Sequence, residues 1–137
     1  MSAANKALVR RIFDEVWNQG NLQVLDEVLD PNYKGEYPSG PTMTSAEQLK
    51  RYIAATRAAF PDLRWAVEDL IAEGDKVVAR WTNRGTHQGE WRGIAATGKP
   101  VTMSGVSIFR IVNGKIRERW GNTDALGVMR QLGTIPQ

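Results

Sequence analysis

Two titratable side chains in the second half of the sequence, Asp124 and His87, are the candidates for acid/base chemistry. Asp124 stands at the end of the last predicted strand, where alternation places it on one face with Ile116, Trp120 and Asn122. A strand that faces only an apolar core does not usually carry polar groups on that side, because burying them unpaired is costly. The mixed face is therefore typical of a cavity wall, and it predicts a carboxylate there that exchanges protons with a ligand.

A structural role for Asp124 fits its position equally well. The residue directly precedes a helix predicted to begin near Ala125, and aspartate is among the preferred N-cap residues. Spacing alone does not choose between the two roles. The opposite face of the same strand carries Lys115, Arg117 and Arg119, and we expect this basic face to be solvated or to lie between subunits.

His87 is the only histidine in the chain. It shares its strand face with Trp81 and Asn83, so an inward orientation of that face places it near the strand end beside an aromatic wall. A bulge at Gly85 would reverse the alternation. The alternative, which the bare sequence favours, is a histidine at a loop edge with no role in chemistry.

The composition excludes several kinds of chemistry. The chain has no cysteine and a single histidine, which excludes disulfides, thiol catalysis and a zinc site built from several histidines. It has no glycine-rich phosphate loop, no nucleophile elbow and no metal-ligand helix motif. A reaction here must use acid/base groups and positioning, so we expect no metal and no cofactor.

Length and charge limit the partners. The 137 residues fit one ordinary domain over residues 1–137, and the net charge is +3. Basic side chains are interleaved with acidic ones and form no stripe, so we expect no nucleic-acid partner. No apolar run resembles a signal peptide or a membrane span, which predicts a cytoplasmic protein without a membrane contact.

Three helices are predicted in the first half of the chain. Apolar residues recur at helical spacing over residues 3–19, and Asn21 is a suitable N-cap for a short second helix through Leu29. Residues 32–43 look like a short strand and a loop. Thr44 and Glu47 match a capping box, which predicts a third helix from there to Phe60.

Beyond residue 62 the apolar period changes to two, which indicates strands. The predicted strands cover residues 63–71, 76–88, 101–111 and 115–124, with a glycine-rich loop over 89–99 and a closing helix over 126–132. Helices followed by a meander of strands predict an α+β fold, in which the helices pack on one face of a curved, mostly antiparallel sheet.

Several fragments, in this order and spacing, resemble the SnoaL-like polyketide cyclase family of the nuclear-transport-factor-two-like superfamily. The most specific is Gly-Thr-His-Gln-Gly-Glu at residues 85–90. The last fragment carries Trp120, Asp124 and Gln-Leu-Gly at residues 131–133 in the spacing of the family. The fragments lie at residues 9–22, 59–63, 73–78, 85–99 and 114–133.

The resemblance implies a cone-shaped barrel around an internal pocket, usually in a homodimer or homotetramer. It implies an intramolecular aldol closure of a small, apolar, polyketide-like substrate, with Asp124 as the acid/base and His87 as a hydrogen-bond partner of the developing oxyanion. A carboxylate in an apolar pocket has a raised pKa, which makes it a better base. The residues expected to contact the substrate are Asn122, Trp120, Trp81, Tyr33, Phe60 and Met103.

One departure and two alternative functions accompany the resemblance. Many relatives carry a histidine soon after the second helix, where this chain has Glu36. Epoxide hydrolysis in the same type of barrel uses an Asp–Arg–Asp arrangement, but Arg80 is expected to point away from the pocket if Trp81 points in. The third possibility is a noncatalytic carrier of an apolar ligand.

Overall fold

The computed structural model describes residues 2–37 and 42–134. The first helix, α1, spans Ser2–Arg11 and continues as a π-helical segment over Ile12–Asn18, so the single helix predicted over 3–19 has two different halves. The buried side chains of the segment are Ile12, Phe13, Val16 and Trp17. π-helical turns are rare and frequently mark functional sites.

The next two helices begin later than the sequence predicts. Helix α2 spans Val24–Val28 and has no side-chain cap at its N-terminus, so the expected cap at Asn21 is not formed. Helix α3 spans Ala46–Ala59, and its N-cap is Ser45, whose hydroxyl accepts from the backbone nitrogen of Gln48. Residues 38–41 of the predicted loop lie outside the described residues.

Five strands form one sheet in the order β1-β5-β4-β3-β2. Strand β1 pairs in parallel with β5, and the other neighbours are antiparallel, which confirms the mostly antiparallel sheet. The sheet is open, because β1 and β2 are its edges. The strands span Leu29–Gly35 (β1), Arg64–Glu73 (β2), Lys76–Thr86 (β3), Pro100–Val112 (β4) and Lys115–Thr123 (β5).

The α+β arrangement predicted from the sequence is confirmed. The helices cover one face of the sheet, and the buried apolar side chains between them form one cluster. The inward face of β3 includes Ala79, Trp81 and Asn83, as alternation predicts, and its pairing with β4 runs through Gly85 without a bulge. Helix α4 spans Ala125–Leu132 and closes the described chain.

The π-helical segment is tied to the edge strand β2 by one side chain. The Asn18 amide nitrogen donates to the Trp65 carbonyl at 3.0 Å, and its amide oxygen accepts from the Trp65 backbone nitrogen at 2.7 Å. This pair of bonds satisfies backbone groups of an edge strand and holds Trp17 beside Trp65. Within the described ranges, no helix is long and apolar enough to cross a membrane.

Candidate active site

Two adjacent cavities lie between the helices and the inner face of the sheet. Their volumes are about 20 and 40 Å³, and both are lined by Trp17, Tyr37, Trp65 and Arg119. The described residues that line them include no aspartate, glutamate or histidine. Beyond the shared walls, the inner cavity is lined by residues such as Phe13, Tyr33 and Phe109, and the second by Tyr52, Trp81, Asn83, Trp91, Met103 and Thr123.

The shared wall is a cluster of aromatic rings. The ring centroid of Trp65 lies 4.4 Å from that of Trp81 and 4.6 Å from that of Trp17, and Tyr37 lies 5.1 Å from Tyr52. The buried Trp65 Nε1 atom has no hydrogen-bond partner among the described residues. An aromatic wall with an unused donor suits a flat molecule that carries an acceptor oxygen.

Arg119 is the charged residue that lines both cavities, whereas Arg92 lines only the second. Its side chain is 8% exposed, and its guanidinium donates from Nη1 to the Glu36 carbonyl oxygen at 2.9 Å and from Nη2 to the Ser107 hydroxyl at 3.0 Å. The Cζ atom lies 4.0 Å from the Tyr37 ring centroid, which is a cation–π contact. The expectation that Arg119 lies on a solvated or intersubunit face is wrong.

A β-bulge explains this reversal. Along β4 and β5, Arg110 pairs with Glu118 but Ile111 pairs with Ile116, so Arg117 is an extra residue on β5. One extra residue exchanges the two faces of everything that follows it. Ile116 and Arg119 therefore both point inward, although simple alternation places them on opposite faces.

The same bulge moves two predicted substrate contacts to the outer face. Trp120 is half-buried opposite Ile108, and Asn122 is exposed opposite Val106. Neither residue lines the two cavities. Their predicted place on the cavity wall is therefore wrong, because the alternation was extended across a bulge that pairing with β4 creates.

Ser107 links the arginine to the aromatic wall. Its hydroxyl oxygen accepts from Trp81 Nε1 at 3.0 Å as well as from Arg119, and the residue is fully buried. One small side chain thus satisfies two buried donors. Such a connected polar group holds its members in a single arrangement.

Two tyrosines present hydroxyls beside Arg119. The Tyr33 and Tyr37 hydroxyl oxygens lie 2.7 Å apart. Burial raises the pKa of Tyr33 well above its usual value, and burial also raises the pKa of Tyr37 although the nearby Arg119 opposes that shift. Both phenols stay protonated at neutral pH, and because one of the two protons lies in the bond between them, one proton is left to donate to a ligand. Tyr33 is a predicted contact, whereas Tyr37 was not predicted.

Asp124 directly follows the wall of the second cavity in sequence but does not line it. Its neighbour Thr123 lines that cavity, but Asp124 itself is exposed, and its Oδ1 atom accepts from the Gly127 backbone nitrogen at 2.9 Å. It is the N-cap of α4. The expected inward orientation is not observed, because the chain leaves the strand at Asp124 and turns into the helix.

His87 is fully buried, as the inward face of β3 predicts, but it does not reach either cavity. Its ring stacks on Phe60 at 5.4 Å, and its Nδ1 atom lies 3.0 Å from the Thr97 hydroxyl and accepts from the Thr97 backbone nitrogen at 3.3 Å. Phe60 likewise lies outside the cavity walls. Trp81, Met103 and Tyr33 are the predicted contacts that the structure brings to the cavities.

A curved sheet covered on one face by helices, with an aromatic cavity between them, defines a class of cone-shaped α+β proteins. Within that class, the chain belongs to the SnoaL-like polyketide cyclase family, whose model matches residues 7–132.

Characterised relatives and solved structures agree with this assignment. The aklanonic acid methyl ester cyclase DnrD of Streptomyces peucetius is 31% identical over 92% of this chain and 88% of its own length. The nogalonic acid methyl ester cyclase of Streptomyces nogalater is 29% identical over 85% of this chain and 89% of its own length. The structure of TsrD from Streptomyces laurentii superposes with a TM-score of 0.89 at 31% identity, covering 98% of each chain.

Proposed function

We propose that this chain is a cofactor-independent cyclase that closes a carbon ring in a small, polyketide-like carbonyl compound by an intramolecular aldol reaction. The observation that carries the proposal is the aromatic cavity, whose walls offer hydrogen-bond donors to a flat carbonyl compound. The relatives that cyclise aklanonic and nogalonic acid methyl esters support the same reaction class.

The reaction needs a proton acceptor, an oriented enolate and a proton donor. A proton leaves a carbon flanked by carbonyl groups, the enolate carbon bonds to a second carbonyl carbon of the same molecule, and the oxygen of that carbonyl takes the proton. The product has the same formula as the substrate, so no oxidant or reductant is consumed. Holding both ends of one molecule in the cavity supplies the orientational advantage of an intramolecular reaction.

Asp124 is the proposed proton acceptor. One of its oxygens caps α4, and the other makes no hydrogen bond within the described part of the chain. Thr123 lines the cavity, and the proposal requires the substrate to extend past it to the exposed carboxylate of the next residue. The same group, once protonated, returns the proton to the new alkoxide.

Donors deeper in the cavity orient the substrate oxygens. The Tyr37 hydroxyl is protonated at neutral pH, and the Trp65 indole nitrogen has no partner among the described residues. Fixed donors directed at an oxygen that gains negative charge stabilise the transition state more than the substrate. Trp81 and Met103 supply apolar contact with the flat rings.

His87 enters the proposal as a positioning residue. Its backbone and its ring hold the 88–99 segment, since His87 bonds to Lys99, Gly98 and Thr97. That segment carries Trp91, which lines the second cavity. Phe60 supports His87 by stacking, so both residues act on the substrate through the cavity wall.

The geometry favours aldol closure over epoxide hydrolysis. Arg80 pairs with Asp69 on the exposed outer face of the sheet, as its predicted orientation requires. Arg110 does bridge two carboxylates, Asp75 and Glu118, but these side chains are solvent-accessible and line neither cavity. The Asp–Arg–Asp arrangement of an epoxide hydrolase therefore does not form in the described cavity.

Incubation with aklanonic acid methyl ester in a buffer containing a metal chelator tests the function. We expect a product of unchanged mass and different chromatographic retention, formed faster than in the protein-free control. A gain of one water would indicate hydrolysis instead. Saturable binding without conversion of this ester or the nogalonic acid ester would replace the cyclase by a carrier.

The outer face of the sheet is proposed to form a homodimer. A row of apolar residues in register, Ile71, Val78, Ile108 and Trp120, crosses four strands, and Val106 beside it is 41% exposed. Contiguous exposed apolar surface marks interaction sites, and a self-complementary patch is the usual basis of a two-fold dimer. In this proposal Trp120, which faces outward and does not line the cavities, contributes to the dimer interface.

Val106→Glu is expected to convert the dimer to a monomer, because it places a charge in an apolar interface. Sedimentation velocity at several concentrations measures the change. Asn21→Asp, which adds the same charge on an exposed residue away from the sheet, serves as the control and is expected to leave the dimer intact. A wild-type protein that sediments as a monomer at all concentrations would refute the dimer.

A further inference from the structure

Arg119 is a buried cation whose partners among the described residues carry no charge. It donates to a backbone carbonyl and to a serine hydroxyl, and it lies over the ring of Tyr37. A guanidinium has five N–H donors, so three of them have no described protein acceptor. Burial of a cation without an anion is costly, and proteins rarely retain one unless it acts on a ligand.

The position of the guanidinium is set by a glycine. A Cβ atom at Gly121 would lie 2.7 Å from the Arg119 Cζ atom, so the side chain occupies the space that Gly121 leaves free. The guanidinium therefore extends along β5 toward the cavity rim. Thr123 follows on the same face about 7 Å further along the strand, since each strand residue advances about 3.3 Å.

We propose that Arg119 binds a planar oxyanion of the substrate, either a carboxylate or the ionised form of a 1,3-dicarbonyl, and so selects acidic flat molecules over neutral ones. This inference rests on the proposed cyclase function and names its substrate class. The guanidinium fork matches two oxygens in one plane, which an ammonium group does not. The low polarity of the surrounding rings strengthens the attraction.

The arrangement also links the anion to the proposed chemistry. Asp124 stands one residue beyond Thr123, so the proposed base follows the cavity wall that begins at the guanidinium. A molecule that presents its delocalised oxygens to Arg119 places its remote end at the rim.

Two pairs of small flat ligands test the selection by isothermal titration calorimetry. The first pair is 2-naphthoate and its uncharged methyl ester, and the second is 2-hydroxy-1,4-naphthoquinone, which is ionised at neutral pH, and its uncharged 2-methoxy ether. We expect the wild-type protein to bind at least one anion about tenfold or more tightly than its neutral partner. The first pair reports a carboxylate and the second an ionised dicarbonyl.

Three variants assign the preference to Arg119. Arg119→Met is expected to remove the preference for anions. Arg119→Lys is expected to reduce it, because lysine keeps the charge but lacks the paired donors of the planar guanidinium. Gly121→Ala keeps the arginine but displaces its flexible end, so it is also expected to weaken anion binding several-fold. Arg117→Met removes the same charge from the same strand and is expected to preserve the preference.

The outcomes separate this inference from the proposed function. Equal binding of anions and neutral partners by the wild type, or an unchanged preference in both Arg119→Met and Gly121→Ala, would overturn the oxyanion site while cyclisation could still proceed. Circular dichroism checks that each variant is folded. If Arg119→Met does not fold, Arg119→Lys and Gly121→Ala show whether Arg119 causes the preference for anions. Failure of both the anions and the neutral ligands to bind would contradict the cavity on which the two proposals depend.

Discussion

Replacing Asp124 by asparagine is expected to lower kcat about 100-fold or more while leaving the free energy of unfolding almost unchanged. Asparagine is as good an N-cap as aspartate, so the bond to the Gly127 nitrogen survives. It cannot accept the substrate proton, so the proposed base is lost. Steady-state kinetics and urea unfolding measure the two quantities independently.

Two further substitutions separate the base from the cap. Asp124→Ser keeps a capping oxygen without a carboxylate and is expected to behave as Asp124→Asn does. Asp124→Ala is expected to lose the same activity and, in addition, about 1 kcal/mol of stability, because the cap is removed. Full turnover by Asp124→Asn would show that this residue only caps α4 and that the proton acceptor lies elsewhere.

Ser107→Ala is expected to give the largest loss of stability, about 3 kcal/mol, because it leaves two buried donors without their acceptor. The indole nitrogen of Trp81 and one nitrogen of Arg119 both donate to the hydroxyl of Ser107, which is 1% exposed. Among the described residues, the Trp81 nitrogen donates to no other acceptor, whereas Arg119 keeps its bond to the Glu36 carbonyl. Urea unfolding monitored by tryptophan fluorescence measures the change.

A matched control and a double-mutant cycle define the source of that loss. Ser104 lies on the same strand but is exposed, so Ser104→Ala is expected to change stability by less than about 0.5 kcal/mol. Trp81→Phe removes one of the two donors, and combining it with Ser107→Ala isolates the Trp81–Ser107 bond. A Ser107→Ala protein as stable as the Ser104→Ala control would show that this buried link contributes nothing.

The cavity owes its shape to a non-local feature of the sheet. Without the extra residue Arg117, Arg119 would face solvent, and Trp120 and Asn122 would face the cavity. The inner cavity would then lack its arginine, and the wall would be more polar near Thr123. The bulge instead puts the cation inside and a tryptophan on the proposed dimer face, so a single register shift decides both surfaces.

The sequence by itself determined the order of the helices and strands and the shared face of Trp81 and Asn83 on β3, and it left Asp124 open between a cap and a cavity group. These features are encoded locally, in periodicity and in the residue types at helix ends, and such signals are readable without the partner strands. The glycine-rich loop and the α+β class followed from the same signals.

Only the tertiary structure decided which side chains share the cavity. The bulge at Arg117 depends on how β5 pairs with β4, and no residue type announces it. The π-helical turn that directs Phe13 and Trp17 inward, and the approach of Tyr37 to Arg119, likewise arise from packing between distant segments. Local patterns identify strands and helices, whereas the faces of β5 were settled by contacts between residues far apart in the chain.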